Sequence, residues 1–158
     1  MKLYIAHPMG LRHRVRDNIC PAITVLGIET INPFYNIDGS YREDRPEIKA
    51  IDGGRIGEYD IHRTSQAENI VMRDLYKIRE ADGLVAIFDD NTAMIGTSME
   101  IFYCARVCKK PVWIVTVKYA KHPWLLYLSS RTGGEVVESI PELLKVLKKC
   151  SRCITQQQ

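Results

Sequence analysis

The sequence predicts an α/β fold: a single domain in three layers, with helices on both faces of a five-stranded parallel sheet. Two observations carry this. Short apolar runs at residues 84–88, bounded by Gly83 and Asp89, and 112–117, after Pro111, have the composition of strands buried on both faces. The stretch Asp82–Val117, DGLVAIFDDNTAMIGTSMEIFYCARVCKKPVWIVTV, reads as strand, loop, helix, strand. That is one βαβ unit, and such units build parallel sheets with right-handed crossovers.

Taken in order, Leu3 to Ala6 is the first strand and His7-Pro8-Met9-Gly10 the turn after it. A helix follows from about Leu11 to Leu26, with Val15, Ile19, Ile23 and Leu26 on one face. Pro21 falls inside that pattern and predicts a kink or an early break. Arg12, His13, Arg14 and Arg16 crowd the helix start, where cations oppose the macrodipole. They form either a solvated basic face or an anion site relieved by a bound phosphate. The glycine patterns of the dinucleotide and P-loop fingerprints are both missing there.

Ile28 to Ile31 is the second strand. Residues 32–65 then run long with little periodicity, yet keep Phe34, Tyr35, Tyr41 and Tyr59. A disordered linker seldom keeps such aromatics, so the segment reads as a lid or pocket wall with a short helix near Pro46–Ile51. Phe34 can stack on a ring-shaped ligand or pack in the core. Gln66 to Glu80 is a helix with Val71, Leu75 and Ile78 as its buried stripe. Asp74 beside that stripe pairs with Lys77 or points into the crevice.

Leu84 to Phe88 is the third strand, Asp89 to Gly96 a loop, and Thr97 to about Cys108 a helix stopped by Lys109-Lys110-Pro111. Thr97-Ser98-Met99-Glu100 fits a capping box, with Glu100 reaching back to the cap amide. Glu100 also lies beside the carboxyl end of a strand, where open α/β sheets bind ligands. Val112 to Val117 is the fourth strand. Trp124 to Leu128 is an apolar patch suited to a subunit contact. Glu135 to Glu138 is a short fifth strand, and Ile140 to Leu147 a closing helix begun by Ser139 and Pro141. Residues 1–150 form the domain and 151–158 a frayed tail.

Composition narrows the function. The 158 residues suffice for one domain, 46% hydrophobic and 26% charged. With 22 basic and 19 acidic residues the chain is too balanced for a nucleic-acid polymer as partner. No apolar stretch reaches membrane-span length, and no signal-peptide pattern opens the chain, so a cytoplasmic protein is expected. The five cysteines are odd in number, against a disulfide framework. Cys150 and Cys153 form a lone pair without the second pair that zinc needs.

Several pieces together resemble one family. These are Ala81-Asp82-Gly83, Phe88-Asp89-Asp90, Gly96-Thr97-Ser98-Met99-Glu100 and Lys110-Pro111, with Lys2 to Ala6 as the opening strand and Arg73-Asp74-Leu75 on the preceding helix. Over residues 2–117 they resemble the nucleoside 2′-deoxyribosyltransferase superfamily, which includes nucleoside 5′-monophosphate N-glycosidases. The resemblance implies a flavodoxin-like sheet, a small nucleoside or nucleotide as partner, no cofactor and no metal. It implies a homo-oligomer whose site borrows residues from a neighbour. It casts Glu100 as nucleophile and Asp74 as a second catalytic group. Tyr4, His7, Arg12, Phe34, Asp89, Asp90, Gly96, Ser98 and Ser129 are the expected substrate contacts. Asn91 to Met94 depart from the family's more acidic loop. Transferase, monophosphate hydrolase and non-catalytic nucleotide sensor all remain open at this point.

Overall fold

The computed structural model describes residues 1–43, 45–53, 64–89, 91–92 and 94–155. Five parallel strands run in the order β2-β1-β3-β4-β5: β1 Lys2–Ala6, β2 Glu29–Ile31, β3 Gly83–Ile87, β4 Val112–Val115 and β5 Val136–Val137. The order reverses between β1 and β3, which pair directly, Tyr4 beside Leu84. The carboxyl ends at this switch point form the crevice where such sheets take ligands. The three central strands are almost wholly buried, and the two edges are short, as a parallel sheet covered on both faces requires.

Side-chain alternation sorts the strands between two cores. Tyr4, Ala6, Leu84, Ala86, Val112 and Ile114 face one layer of helices, and Leu3, Ile5, Val85, Ile87, Trp113 and Val115 the other. The second layer holds α1 and α6. Helix α1 is a continuous run of Arg12–Arg14, Val15–Ile19 and Cys20–Thr24, and α6 spans Ile140–Thr155. Pro21 does not break α1. The turn ahead of it, Val15–Ile19, widens to π-type bonding, which absorbs the missing donor. Helix α6 runs well past the expected Leu147, so residues 151–155 are helical.

The first layer holds α3, α4 and α5. Helix α3 is Thr64–Glu80, and α4 is Ile95–Phe102 continued by a wider turn over Tyr103–Cys108. Of the expected α3 stripe, Ile78 is buried and Leu75 partly so, whereas Val71 is 53% exposed. The patch at Trp124 is a helix, α5, Pro123–Ser130. It buries Leu125 and Leu128 in its own chain and leaves Trp124, Leu126 and Tyr127 outside.

The connection after β2 carries the short helix α2, Pro46–Asp52, close to its expected place. Phe34, Tyr35 and Ile48 form a small core of their own. Tyr59, expected in the same wall, lies outside the described residues.

Two contacts fix the crossovers. Lys109 takes the left-handed conformation at φ 56°, which ends α4. Lys110 Nζ then donates to the carbonyls of Ile78, Arg79 and Ala81 at the end of α3. A cation there complements the negative helix terminus. At the start of β5, a Cβ on Gly134 would lie 1.9 Å from the Val112 carbonyl oxygen. Gly134→Ala must therefore displace the β4 backbone. Urea unfolding should show a loss of roughly 1–3 kcal/mol, the usual consequence of overpacking.

Candidate active site

Strand β1 points Tyr4 into the layer that holds α4. The side chain is fully buried, and its hydroxyl donates to Glu100 Oε1 at 2.7 Å. This contact decides between the two readings of Glu100. Helix α4 begins at Ile95 with Met94 as N-cap, so Glu100 sits in the second turn. Its carboxylate reaches across 96 residues to Tyr4 instead of back to a cap amide. Thr97 is buried inside the helix.

Glu100 keeps some surface as a residue, while its carboxyl end is enclosed. Burial, and then the negative charge of Asp74, push its pKa up to about 8. The Tyr4 hydrogen bond and the Arg45 charge pull the other way and are outweighed. Desolvation thus dominates the ionisation of Glu100. Burial and the Glu100 charge likewise raise the Tyr4 phenol well above its ordinary value.

Asp74 comes from α3. Its partner is Arg45, not Lys77: Arg45 Nη2 donates to Asp74 Oδ1 in a pair with little solvent contact. Arg45 carries no local signal in the sequence, since it lies in an aperiodic connection 29 residues from its partner. Its guanidinium lies 5.4 Å from the centroid of the Phe34 ring. His7 meets the same ring edge-on at 4.9 Å. His7 is 4% exposed. Its Nδ1 lies 3.0 Å from the Pro8 carbonyl oxygen, and burial lowers its pKa to about 4. A neutral imidazole with Nδ1–H donating to Pro8 leaves Nε2 as an acceptor. Glu100, Tyr4, Asp74, Arg45, Phe34 and His7 thus form one linked group at the switch point.

The other expected contacts are placed elsewhere. Arg12 donates from Nε and Nη2 to Asp52 Oδ1, at 2.8 and 2.5 Å, and from Nη1 to the Met9 carbonyl. Tyr35 Oη also donates to Asp52, at 2.8 Å. Burial alone would raise the Asp52 carboxyl, but the bonds from Arg12 and Tyr35 hold it below its usual range. Arg16 pairs with Asp17 and stacks on Tyr35. The start of α1 therefore has an internal anion at Arg12.

Asp89 lies just beyond β3 and accepts from the Asn91 amide and the Thr92 hydroxyl. Asp90 lies outside the described residues. Gly96 has open space where a Cβ would stand, and the Ser98 amide donates to the Met94 carbonyl. Ser129 lies away from the crevice of its own chain. Its buried hydroxyl donates to the Val112 carbonyl at 2.8 Å, at the amino end of β4. That is the sheet edge opposite the crevice, and the hydroxyl holds α5 to the sheet. Among the described residues no group of His, Cys, Asp and Glu is placed to hold a metal ion, and no helix is long and apolar enough to cross a membrane.

No protein-family model matches the chain, and no curated protein does. Solved structures do. A 2-deoxyribosyltransferase from the psychrotolerant bacterium Bacillus psychrosaccharolyticus superposes with a TM-score of 0.57 at 17% identity, over 91% of this chain and 90% of that one. A CMP N-glycosidase of Clostridium botulinum gives 0.54 at 16% identity, over 93% and 98%. A conserved protein from Enterococcus faecalis V583 gives 0.60 at 20% identity, over 94% and 98%. The chain thus shares its fold, over nearly its whole length, with enzymes of both the transfer and the N-glycosidase type.

The raised Glu100 pKa has a consequence for stability. Below about pH 4.5 the carboxyl is protonated whether the chain is folded or not, and stability is unaffected. As pH rises toward 8 the unfolded chain loses the proton first, so stability falls, then levels off above 8. Glu100→Gln should remove this slope. Urea unfolding across pH should find the variant more stable than wild type above pH 8, by a gain on the order of 2–4 kcal/mol.

Proposed function

We propose that this chain cleaves the N-glycosidic bond of a nucleoside, with Glu100 as nucleophile, and transfers the sugar to a second base or to water. The observation that carries this reading is the Tyr4–Glu100 pair at the β1–β3 switch point. A carboxylate held by one hydrogen bond keeps a second oxygen for the substrate. Breaking the bond builds positive charge at the anomeric carbon, and a facing carboxylate stabilises that charge and captures it as a glycosyl ester. The base departs with the bonding electrons and takes a proton from water, which the attacking acceptor returns in the second step. An acceptor base or a water then attacks the same carbon and releases Glu100. Asp74, ion-paired with Arg45, contributes negative charge beside the developing cation. His7 Nε2 suits a hydrogen-bond donor of the substrate, and Phe34 is the aromatic wall beside it.

A 5′-monophosphate substrate is the second reading, and the fold shared with a CMP N-glycosidase keeps it in view. It needs a phosphate receptor at the start of α1. The engagement of Arg12 with Asp52 weighs against it, so the nucleoside reading is preferred.

The deciding assay mixes the protein with deoxynucleosides or their 5′-monophosphates, with and without an acceptor base, and follows free base by chromatography. Base exchange that needs the acceptor identifies a transferase. Release from monophosphates alone identifies a hydrolase. Binding without turnover identifies a sensor and ends the catalytic reading. Glu100→Ala should stay folded and lose at least about a thousandfold in turnover, the scale of removing a residue that acts at the reacting centre. The wild-type rate should rise with pH toward about 8, as Glu100 ionises.

The exposed face of α4 and α5 supports a homo-oligomer. Phe102, Arg106, Pro123, Trp124 and Tyr127 line a hollow of about 510 Å³ on it, the aromatic and Arg composition of interface cores. Light scattering should report a dimer or larger, and Trp124→Asp should shift it toward monomer.

A further inference from the structure

We propose that Arg45 is a positioning residue of the crevice: its guanidinium, held in place by Asp74, also acts directly on Glu100, so that Glu100 can carry negative charge beside a second carboxylate. The inference rests on the reading of Glu100 as nucleophile, and it adds a residue that nothing in the sequence marks.

The geometry is specific. Arg45 stands immediately before α2, its amide donating to the Arg42 carbonyl and its own carbonyl accepting from the Ile48 amide. Ile48 is fully buried with Phe34 and Tyr35, so the backbone that bears Arg45 is anchored in the small core. The side chain is 3% exposed, in an ion pair with Asp74 and over the face of Phe34. The planar guanidinium suits both contacts at once, which an ammonium cannot do.

Asp74 and Glu100 converge from separate helices, and their neighbours Leu75 and Ile101 pack in the same core. Two carboxylates in one enclosed site resist ionising together unless a cation stands between or beside them. Among the described residues, the charged and titratable groups acting on Glu100 are Tyr4 from β1, Asp74 from α3 and Arg45 from the connection before α2. Of these, Arg45 supplies the cation. A structural role alone would need only that Arg45 tie α2 to α3. The positioning role adds that its charge favours ionisation of Glu100, a carboxyl other than its ion-pair partner.

The two roles separate by titration. Protein carrying ¹³C at the glutamate side-chain carboxyls is followed by NMR across pH, with Glu100→Gln assigning the Glu100 signal. Arg45→Met should raise the Glu100 midpoint by about one unit or more, a tenfold loss of the ionised form below it. Arg45→Lys keeps the charge and should leave the midpoint near wild type. Asp74→Asn should lower it.

Arg45→Met alone leaves Asp74 buried without its ion-pair partner and can fail to fold. The double variant Arg45→Met/Asp74→Asn avoids that charge, and its midpoint should lie above that of Asp74→Asn alone. A midpoint unmoved in folded Arg45→Met, or equal in the double and single variants, overturns the proposal. The titration needs no turnover. If the midpoint moves and no nucleoside is ever cleaved, the charge arrangement stands and only the glycosidic reading fails. If nucleosides are cleaved and the midpoint stays, the positioning role fails alone.

Discussion

The hydrogen bond from Tyr4 to Glu100 ties the middle of the sheet to helix α4 at the point where the strand order reverses. Its surroundings follow from the chemistry of enclosing a carboxyl group. A buried charge is unfavourable without partners, so the site must supply a donor, a compensating cation, or a proton. This crevice supplies all three in part. Tyr4 is the donor, Arg45 is the cation one residue removed, and the raised pKa leaves Glu100 protonated much of the time near neutrality. A carboxyl poised this way stabilises the fold poorly and suits chemistry well, which is the usual trade at functional sites.

The second polar cluster is built on the opposite plan. Asp52 accepts from Arg12 and Tyr35 and faces His13, at 3.6 Å. Its demands are met from within the chain. The two clusters are joined through the connection after β2, where Phe34 faces the crevice and Tyr35 faces Asp52. The basic start of α1 thus serves to fasten that connection, and the cations that looked like a receptor for a ligand are largely engaged in holding the wall of the site in place.

Much of the fold was legible because its signals are local. Buried strands, the helix stop at Lys109-Lys110-Pro111 and the short helix near Pro46 each follow from composition or spacing. The pairing of Tyr4 with Glu100 was not, since nothing within either segment announces a contact 96 residues away. Glu100 itself stood out, but its neighbourhood also fitted a capping box, and only the tertiary contact separates the two. Arg45 was invisible for the same reason, lying in a segment with no periodicity. Ser129 illustrates a different gap. A hydroxyl in a plausible place gives no sign that a backbone carbonyl already holds it. Val71 fitted a helical stripe that the tertiary packing left in solvent.

The chain has two tryptophans in contrasting settings. Trp113, on β4, is 3% exposed inside the core, and Trp124, on α5, is 60% exposed on the outer aromatic face. Their emission therefore divides by environment. The blue-shifted, quencher-resistant part reports the integrity of the sheet, and the red-shifted, quencher-accessible part reports whatever covers α5. Without any label, one spectrum can distinguish loss of the fold from a change at the surface, because the two signals come from opposite ends of the solvent scale.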